Sequence, residues 1–225
     1  PDWSRGLGDV YKRQIVIGLL WTCFAFTKER VTPRIDVHAK NASVRQDISE
    51  TIKNNQWVIV ALITFFLLTA VATRGSVTNY YIEYYFGRPD SKGMFNLIGM
   101  LAGIAGALSV NLVKDKICKV SLFRWASIIV IFLHLGFIPL SREQYEIALL
   151  LSASANFFHM MVTVLLFSMV PDTVEYGKKV LKSMGNAMAM SFAGHLLALK
   201  LGIAVGGLIA GWSLAYVGYL SLIHI

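Results

Sequence analysis

The side chains most able to do chemistry in this sequence are two basic residues that interrupt long apolar runs. Arg74 follows the apolar residues 57–73, and Lys200 lies within the apolar residues 185–211. A charged group at the centre of a membrane-spanning helix costs roughly 2.5–3.5 kcal/mol on insertion scales, so it normally faces a protein interior or a water-filled cavity. We therefore expect Arg74 to face a cavity. The alternative is that its side chain snorkels to the membrane surface.

Three further polar residues extend from Arg74 along one side of a predicted helix. Thr78, Tyr81 and Tyr85 follow it at intervals of four, three and four residues, which places them on the same helical face. Aromatic faces stack on the C–H surfaces of sugars, and arginine bonds to hydroxyls or carboxylates. The stripe therefore predicts a carbohydrate site made by Arg74, Thr78 and Tyr81. The alternative is an aromatic belt at the membrane interface, to which we assign Tyr85.

A second polar stripe lies in the apolar residues 146–170. Its members, again at helical spacing, are Ser152, Asn156, His159 and Thr163. Polar residues on an otherwise apolar helix are expected to face water or a ligand, so we predict that Asn156, His159 and Thr163 contact a substrate. Hydrogen bonding between helices is the alternative, above all for Ser152 and Thr163. For His159, the alternative is a buried histidine bonded to a neighbour.

The stretch FSMVPDTVEYGKK, residues 167–179, ends an apolar run with carboxylates and lysines. Asp172 and Glu175 are three residues apart, on one helical face. We predict a cytoplasmic charge network that holds one conformation and releases another. Its predicted members are Asp172, Glu175 and Tyr176 with the lysines Lys178, Lys179 and Lys182. The alternative is a helix cap at Asp172 with a solvated face after it.

The composition is that of a membrane protein. Hydrophobic residues make up 56% of the chain and charged residues 15%, and the apolar residues lie in long blocks. Five blocks approach or exceed the roughly 20 residues that cross about 30 Å of hydrocarbon as a helix. They are residues 57–73, 94–113, 122–140, 146–170 and 185–211. The sequence therefore predicts an all-α, polytopic helix bundle.

Basic residues are unevenly distributed among the connections. Those before the first complete span, after the second and after the fourth are rich in lysine and arginine, whereas the alternate connections hold only Arg88, Lys92 and Arg142. Because cytoplasmic loops carry such an excess, residues 114–120 and 167–182 are predicted to be cytoplasmic. This pattern accounts for the formal net charge of +8 without a nucleic-acid partner.

The polar residues 27–56 form the longest connection. We predict a solvated connector that carries a short amphipathic helix on the membrane surface, with Val44, Ile48 and Ile52 on its apolar face. The alternative is a middle linker between two helical bundles. The other connections are short, which predicts antiparallel neighbouring helices in an up-and-down bundle.

Small residues four positions apart let helices approach each other closely. Three such pairs occur, at Gly99/Gly103, Gly202/Gly206 and Gly207/Gly211. We predict that these glycines serve helix packing and do not line a pore.

The two ends of the chain are interpreted as adaptor-derived. Residues 9–14 read DVYKRQ and residues 220–225 read LSLIHI. The DNA sequence CTGTCTCTTATACACATC encodes the second peptide and its reverse complement encodes the first, as expected for one transposon-end adaptor translated from both flanks. Residues 1–14 and 220–225 are therefore predicted to be non-native, and 15–219 to be a gene-derived part that is cut at both ends.

Motifs of enzyme chemistry are absent from the sequence, which has no P-loop, GxSxG or HExxH and no GxGxxG after a strand. Cys23 and Cys118 are the two cysteines, so neither a disulfide framework nor a CxxC metal site is possible. We expect no enzymatic activity, no cofactor and no bound metal.

Four motifs, in order along the chain, resemble one known family. They are TKERV (27–31), YYIEYYFG (80–87), VPDTVEYG (170–177) and KLGIAVGG (200–207). Together they resemble the glycoside-pentoside-hexuronide:cation symporters, the melibiose-permease-like branch of the major facilitator superfamily. The resemblance implies twelve helices in two six-helix bundles, with sugar uptake coupled to Na⁺, H⁺ or Li⁺.

On that map, residues 15–26 are the end of helix six, 27–56 the middle cytoplasmic loop, and 57–219 the carboxy-terminal transmembrane bundle with helices seven to eleven. The amino-terminal bundle, which holds the cation-binding aspartates of the family, and helix twelve would lie outside this chain.

The resemblance also implies roles for single residues. Asp172 and Glu175 match the acidic positions between helices ten and eleven, and Lys200 matches the lysine near the cation site. Lys178 stands where the family commonly has a third acidic residue.

The sequence thus predicts a sugar:cation symporter that works by alternating access, as a multi-pass protein of the bacterial inner membrane and a monomer when complete. The expected partners are a small sugar, membrane lipid and the amino-terminal bundle of the same chain, with Na⁺ or H⁺ as coupling ion. Two alternatives are a lipid or drug transporter with a more apolar cavity, and a non-transporting membrane receptor or subunit.

Overall fold

The computed structural model describes residues 3–27, 44–180, 187–216 and 218. Every regular element in these ranges is helical, as predicted for an all-α protein. The helices are α1 (Trp3–Phe26), α2 (Val44–Lys53), α3 (Asn55–Tyr80), α4 (Lys92–Val113), α5 (Lys119–Leu135), α6 (Tyr145–Val180) and α7 (Ala187–Tyr216). A π-helical turn, Tyr81–Tyr85, continues α3, and a 3₁₀ turn, Pro89–Ser91, precedes α4. The chain has two compact units: helix α1 lies in the first, and helices α2 to α7 lie in the second.

Four helical segments in the described ranges are long and apolar enough to cross a membrane. They are Asn55–Tyr85, Pro89–Val113, Tyr145–Val180 and Met188–Tyr216. The expectation of a multi-pass membrane protein is confirmed for these four. Helix α5 has 17 residues, and it ends earlier than the predicted span 122–140 because Pro139 disfavours helical backbone before it.

Glycines bring α3 and α7 into close contact. A Cβ atom at Gly202 would lie 2.5 Å from the carbonyl oxygen of Phe65, and one at Gly206 would lie 2.5 Å from that of Thr69. The hydroxyl of Thr73 donates to the carbonyl oxygen of Gly206 (3.1 Å). The Gly202/Gly206 pair therefore serves helix packing, as predicted.

A second glycine contact joins α4 to α6. A Cβ atom at Gly99 would lie 2.9 Å from Nδ2 of Asn156, and one at Gly106 would lie 2.0 Å from the carbonyl oxygen of Phe157. Gly103 is buried on the same face. The predicted pair Gly99/Gly103 is thus part of a longer glycine face, and its third member makes the closest approach.

The third predicted pair differs. A Cβ atom at Gly207 or Gly211 would meet nothing within 4 Å in the described part of the chain, so the packing role expected of this pair is not seen there.

The short connections predicted that consecutive helices are neighbours, which describes only part of the helix packing. The most extensive helix contacts, α3 with α7 and α4 with α6, join helices that are not consecutive.

Helix α2 is the short amphipathic helix predicted in residues 27–56. Val44, Ile48 and Ile52 are exposed, whereas Asp47 and Thr51 are buried, where α2 packs against α3 and α7. The apolar face thus points away from the bundle, as a helix that lies on a membrane surface requires. Residues 28–43 of this connection lie outside the described ranges.

Asn54 fixes the start of α3. Its Oδ1 accepts from the backbone N–H groups of Gln56 and Trp57, which is an N-cap, and its Nδ2 donates to the carbonyl oxygen of Thr173 (2.7 Å). Nε1 of Trp57 donates to the carbonyl oxygen of Ser191 (3.1 Å). The first turn of α3 is thereby tied to both α6 and α7.

Cys118 offers a test of the predicted topology. It is exposed in the connection between α4 and α5, and the backbone N–H groups of Ser121 and Val120 lower the pKa of its thiol. We expect a membrane-impermeant maleimide to label Cys118 in inside-out vesicles and not in intact cells, because this connection is predicted to be cytoplasmic. Since the thiolate is the reactive form, labelling at neutral pH should be faster than that of free cysteine.

The Cys23→Ser variant leaves Cys118 as the remaining thiol of the chain and makes the assay specific. Equal labelling from both sides would contradict the topology. A rate profile against pH that matches free cysteine would contradict the lowered thiol pKa.

Candidate functional site

Arg74 lies at the centre of a hydrogen-bonded group formed by α3, α5 and α6. Its Nη2 donates to Oδ1 of Asn156 (2.8 Å), and its Nη1 lies 3.1 Å from Nε2 of His134. Nδ1 of His134 lies 2.7 Å from the carbonyl oxygen of Val130, so Nδ1 carries the proton and Nε2 accepts from Arg74. Nδ2 of Asn156 donates to the carbonyl oxygen of Ser152 (2.9 Å). The guanidinium is therefore positioned by Asn156 and His134, which lie on two other helices.

A cleft of about 340 Å³, the first cleft, opens beside this group between α3, α4 and α6. Its polar lining comes from Arg74, Thr78, Asn96, Ser152 and Asn156, and its apolar lining includes Phe95, Met100, Ile104 and Met160. Gly99 and Gly103 also line it, so these glycines serve packing and cavity lining together, where only packing was predicted. The volume is in the range of small-molecule sites.

A second cleft, of about 380 Å³, lies between α3, α5 and α6. Its lining is mostly aliphatic, with Arg74, His134 and His159 as the polar members. His159 is 8% exposed, so it is a buried histidine at the edge of a cleft. Arg74 lines both clefts.

The structure brings together four of the residues that were predicted to contact substrate. Arg74, Thr78 and Asn156 line the first cleft, and His159 lines the second. Their contact with a substrate stays a prediction.

Tyr81 and Thr163 lie elsewhere. Tyr81 is two helical turns, about 10 Å, beyond Arg74 along the helix axis, and its ring stacks on Tyr85 (4.9 Å between centroids) and packs edge-on against Phe86. Tyr81 is therefore not among the residues that line the first cleft. The hydroxyl of Thr163 donates within α6, to the carbonyl oxygen of His159 (3.0 Å).

Lys200 is exposed on α7. Among the residues that the structure describes, none forms an ion pair with it. An ammonium group in an apolar span needs a carboxylate partner, and we predict that the partner of Lys200 lies on a helix outside this chain.

Helix α6 continues through Pro171 to Val180, so the FSMVPDTVEYGKK stretch is helical. Asp172 lies in the helix interior, which rules out the alternative that it caps a helix. Its Oδ2 accepts from Nζ of Lys119 on α5 (2.7 Å). The same Nζ donates to the carbonyl oxygen of Ser168 (3.4 Å), one helical turn before Asp172 and beside the proline.

Of the two lysines that pair with the acidic residues of the predicted charge network, one, Lys179, was among those named for it, and the other, Lys119, was not. Glu175 pairs with Lys179, one turn along the same helix (2.6 Å), and Asp172 pairs with Lys119. Tyr176 is exposed, and Lys182 lies outside the described residues. The lysines of the network in the described part are thus Lys119 and Lys179, since an α-helix places residues four apart side by side and α5 packs against α6.

The family model described as MFS/sugar transport protein matches residues 14–223 of the chain. The chain belongs to this family. The match begins at the last residue of the first predicted adaptor stretch and extends into the second, and the adaptor interpretation stays a prediction. No solved structure matches the chain significantly.

This MFS/sugar transport protein is similar to proteins that are named symporters or carriers. It is 34% identical over 203 residues to the inner membrane symporter YicJ of Escherichia coli (89% of this chain, 42% of the relative). It is 30% identical over 203 residues to the putative glycoside/cation symporter YagG of the same organism (89% and 43%). It is 24% identical over 140 residues to the raffinose carrier protein of Pediococcus pentosaceus (62% and 22%). The resemblance to glycoside-pentoside-hexuronide:cation symporters is confirmed, and the chain spans less than half the length of these relatives.

Charge exchange between Lys119 and Asp172 tests whether their pair holds a conformation. The side chains are 40% and 55% exposed, so the pair contributes at most about 1 kcal/mol to stability. We expect Asp172→Asn to leave the amount of folded protein unchanged and to lower the initial rate of sugar uptake several-fold. The double exchange Lys119→Asp with Asp172→Lys should restore part of the rate.

The matched control is Glu175→Gln. The partner of Glu175, Lys179, lies on the same helix, so this pair does not connect two helices. Its effect on uptake should be smaller. Normal uptake by Asp172→Asn would contradict the role of the pair.

Two histidines in the bundle were missed by sequence reasoning. His134 bonds to Arg74 from 60 residues away, a distance over which no periodic pattern connects them. His195 on α7 is fully buried, and its Nδ1 lies 3.3 Å from the hydroxyl of Thr64 on α3. The available signal was the same for both: a titratable side chain within an apolar run, which had already drawn attention to Arg74 and Lys200.

Proposed function

We propose that this chain is the carboxy-terminal part of a secondary active transporter that moves a sugar together with a cation, by alternating access, across the bacterial inner membrane. The observation that carries the proposal is the first cleft, where Arg74 and Asn156 are bonded to each other and stand beside Thr78, Asn96 and Ser152. Hydroxyl, amide and guanidinium groups around one small cavity suit a ligand with many hydroxyls.

The wider family supports the same proposal. Relatives of this chain are named glycoside/cation symporter and raffinose carrier, and the described helices are those of a multi-pass membrane protein. In this proposal, Arg74, Thr78 and Asn156 bind the sugar, with His159 near the site. Lys200 lies at the interface with the amino-terminal bundle and takes part in coupling to Na⁺ or H⁺.

The cytoplasmic ends of α5 and α6 complete the proposed mechanism. The Lys119 and Asp172 pair joins these two helices, and we place it, with Glu175 and the following lysines, at the cytoplasmic gate. Such a pair can form in one state and separate in the other, which is what alternating access needs from its gates.

The test is uptake of radiolabelled glycosides, pentosides and hexuronides by vesicles that contain the full-length transporter, with and without a Na⁺ or H⁺ gradient. We expect gradient-stimulated uptake of at least one sugar. If folded protein takes up none of them, the proposal is wrong, and the aliphatic lining of the second cleft would favour the lipid or drug alternative.

A further inference from the structure

Helix α3 has a body that is fixed on α7 and an outer end that is not helical in the same way. The body is held at Thr73, whose hydroxyl donates to the carbonyl oxygen of Gly206 (3.1 Å). Two turns further on, the chain changes to the π-helical turn Tyr81–Tyr85. This turn leads into the connection that holds Arg88, one of those poor in basic residues and therefore predicted to face the outer side of the membrane.

The π-helical turn is wide and loosely bonded. It contains one residue more than an α-helical turn, because its backbone bonds join residues five apart. The N–H of Phe86 donates to the carbonyl oxygen of Tyr81 (3.3 Å), and that of Arg88 donates to the carbonyl oxygen of Ile82 (3.2 Å). Backbone hydrogen bonds usually measure about 2.9–3.0 Å. Turns of this kind occur mostly at functional sites and are a common origin of helix bends.

The side chains of this turn form the outer wall of the first cleft. Ile82 is fully buried in a hydrophobic cluster. The other buried members of this outer cluster are Phe86, Phe95, Leu140, Tyr145 and Ala148. Phe95 also lines the first cleft, so the cluster and the cleft share a wall. Access to the cleft from the outer side therefore requires the outer cluster to separate.

Polar contacts fasten the outer end of α3 to α4. Nδ2 of Asn96 donates to Oδ1 of Asn79 (2.9 Å), and Nζ of Lys92 pairs with Glu83 (2.5 Å). The two asparagines are exposed, and the side chains of the ion pair are each about one-third exposed. Water can replace such contacts when the helices part, because exposed pairs contribute little net stability.

On its other side, the outer end of α3 is fastened to the connection between α5 and α6. The hydroxyl of Tyr85 donates to the carbonyl oxygen of Leu140 (2.6 Å), and its ring stacks on Tyr81 (4.9 Å between centroids). The guanidinium of Arg142 lies 5.7 Å from the centroid of the Tyr85 ring, within the range of a cation–π interaction. Tyr85 thus ties the turn itself to this connection.

We propose that the π-helical turn is a hinge on which the outer end of α3 swings away from the outer cluster and opens the first cleft to the outer side. This inference rests on the proposed function and adds to it an outer gate, at the opposite end of the bundle from the Lys119 and Asp172 pair. The few residues of a hinge absorb the change in backbone dihedral angles, and the body of α3 stays on α7.

Cysteine labelling of the full-length transporter detects this opening. The reporter is Met100→Cys, because Met100 lines the first cleft and is not among the residues proposed to bind sugar. It is placed in a background in which Cys23, Cys118 and any further native cysteines are replaced by serine. A membrane-impermeant maleimide is applied to intact cells for the outer side and to inside-out vesicles for the cytoplasmic side. We expect labelling from both sides when the turn is unchanged.

Deletion of Tyr84 tests the hinge directly. A π-helical turn is an α-helical turn with one extra residue, so the deletion makes the segment α-helical and leaves the contacts on both sides of it in register. Because the hinge is lost, we expect labelling from the outer side to fall at least about tenfold, as for a two-state equilibrium shifted to the closed state. Labelling from the cytoplasmic side should remain, and sugar uptake should be lost.

Tyr84→Ala is the matched control for the deletion. It removes the same side chain, which is 61% exposed, and it keeps the extra residue of the π-helical turn. Both labelling and uptake should stay within about twofold of wild type, because most surface substitutions have small effects.

Tyr85→Phe tests the hinge without a change in chain length. It removes the hydrogen bond to the carbonyl oxygen of Leu140, which belongs to the closed state. Labelling from the outer side should therefore rise about two- to tenfold, the effect of one hydrogen bond. The same change at Tyr216, which is 93% exposed on α7, should leave the rate unchanged.

The outcomes separate the hinge from the proposed function. A folded Tyr84 deletion with wild-type labelling from the outer side and wild-type uptake would overturn the hinge. If that variant does not fold, Tyr85→Phe decides, and a labelling rate equal to that of wild type would overturn it. Labelling needs no substrate, whereas the proposed function fails if folded wild-type protein takes up no sugar.

Discussion

Replacing Arg74 by alanine in the full-length transporter is expected to lower the initial rate of uptake of its sugar by about a hundredfold or more. The variant removes the donor to Asn156 and His134 and leaves both acceptors inside the bundle. Hydrogen bonds to charged groups contribute about 1.5–3 kcal/mol, and about 1.4 kcal/mol corresponds to a factor of ten. The measurement is the uptake rate divided by the amount of folded, monodisperse transporter.

Arg124→Ala is the matched control for this variant, because Arg124 is exposed on α5 and lines neither cleft. Its uptake should stay within twofold of wild type, because most surface substitutions have small effects.

Lys200→Ala is expected to abolish cation-driven accumulation. Normal uptake in both Arg74→Ala and Lys200→Ala would refute the assigned site.

A single methyl group at Gly106 is expected to prevent correct folding. The Cβ atom of Gly106→Ala would lie 2.0 Å from the carbonyl oxygen of Phe157, and the obstacle is backbone, which cannot rotate away as a side chain can. Overpacking costs about 1–3 kcal/mol and occasionally more, and here α4 must separate from α6. Size-exclusion chromatography of a fluorescent fusion in detergent should show the monodisperse peak reduced several-fold or lost.

Gly93→Ala is the control on the same helix. A Cβ atom at Gly93 would meet nothing within 4 Å, and alanine favours helix over glycine by up to about 1 kcal/mol. This variant should give a peak equal to that of wild type or larger. A normal peak for Gly106→Ala would mean that α4 and α6 are further apart than described.

Most of the membrane-spanning helices and part of the candidate site could be predicted from the sequence. Long apolar blocks predict spanning helices because the backbone must be satisfied internally in hydrocarbon, and four of the predicted spans correspond to α3, α4, α6 and α7. Arg74 and Asn156 could be singled out for the same reason, since each is a polar group at a costly position. The amphipathic helix α2 followed from the spacing of Val44, Ile48 and Ile52.

The rest depended on contacts between distant segments. Periodicity gives the angle of a side chain around its own helix, and it could not show that Tyr81 lies beyond the cleft or that His134 reaches Arg74 from α5. Sequence spacing also could not show that Lys119, on α5, contacts Asp172 and Ser168 on α6, which continues through Pro171 to Val180. The pairing of α3 with α7 needs the glycine contacts of both helices to be known together.

Three polar side chains of the first cleft take no part in the closest helix contacts, and this has an evolutionary consequence. The closest helix contact is between Gly106 and the backbone of Phe157, and Gly106 does not line the first cleft. The contacts of Gly202 and Gly206 join α7 to α3. Thr78, Asn96 and Ser152 line the cleft without taking part in those contacts. Under the proposed function, we therefore expect mutations at these three positions to alter which sugar is accepted at little cost in stability, so that related transporters could differ in substrate and keep the same helix packing.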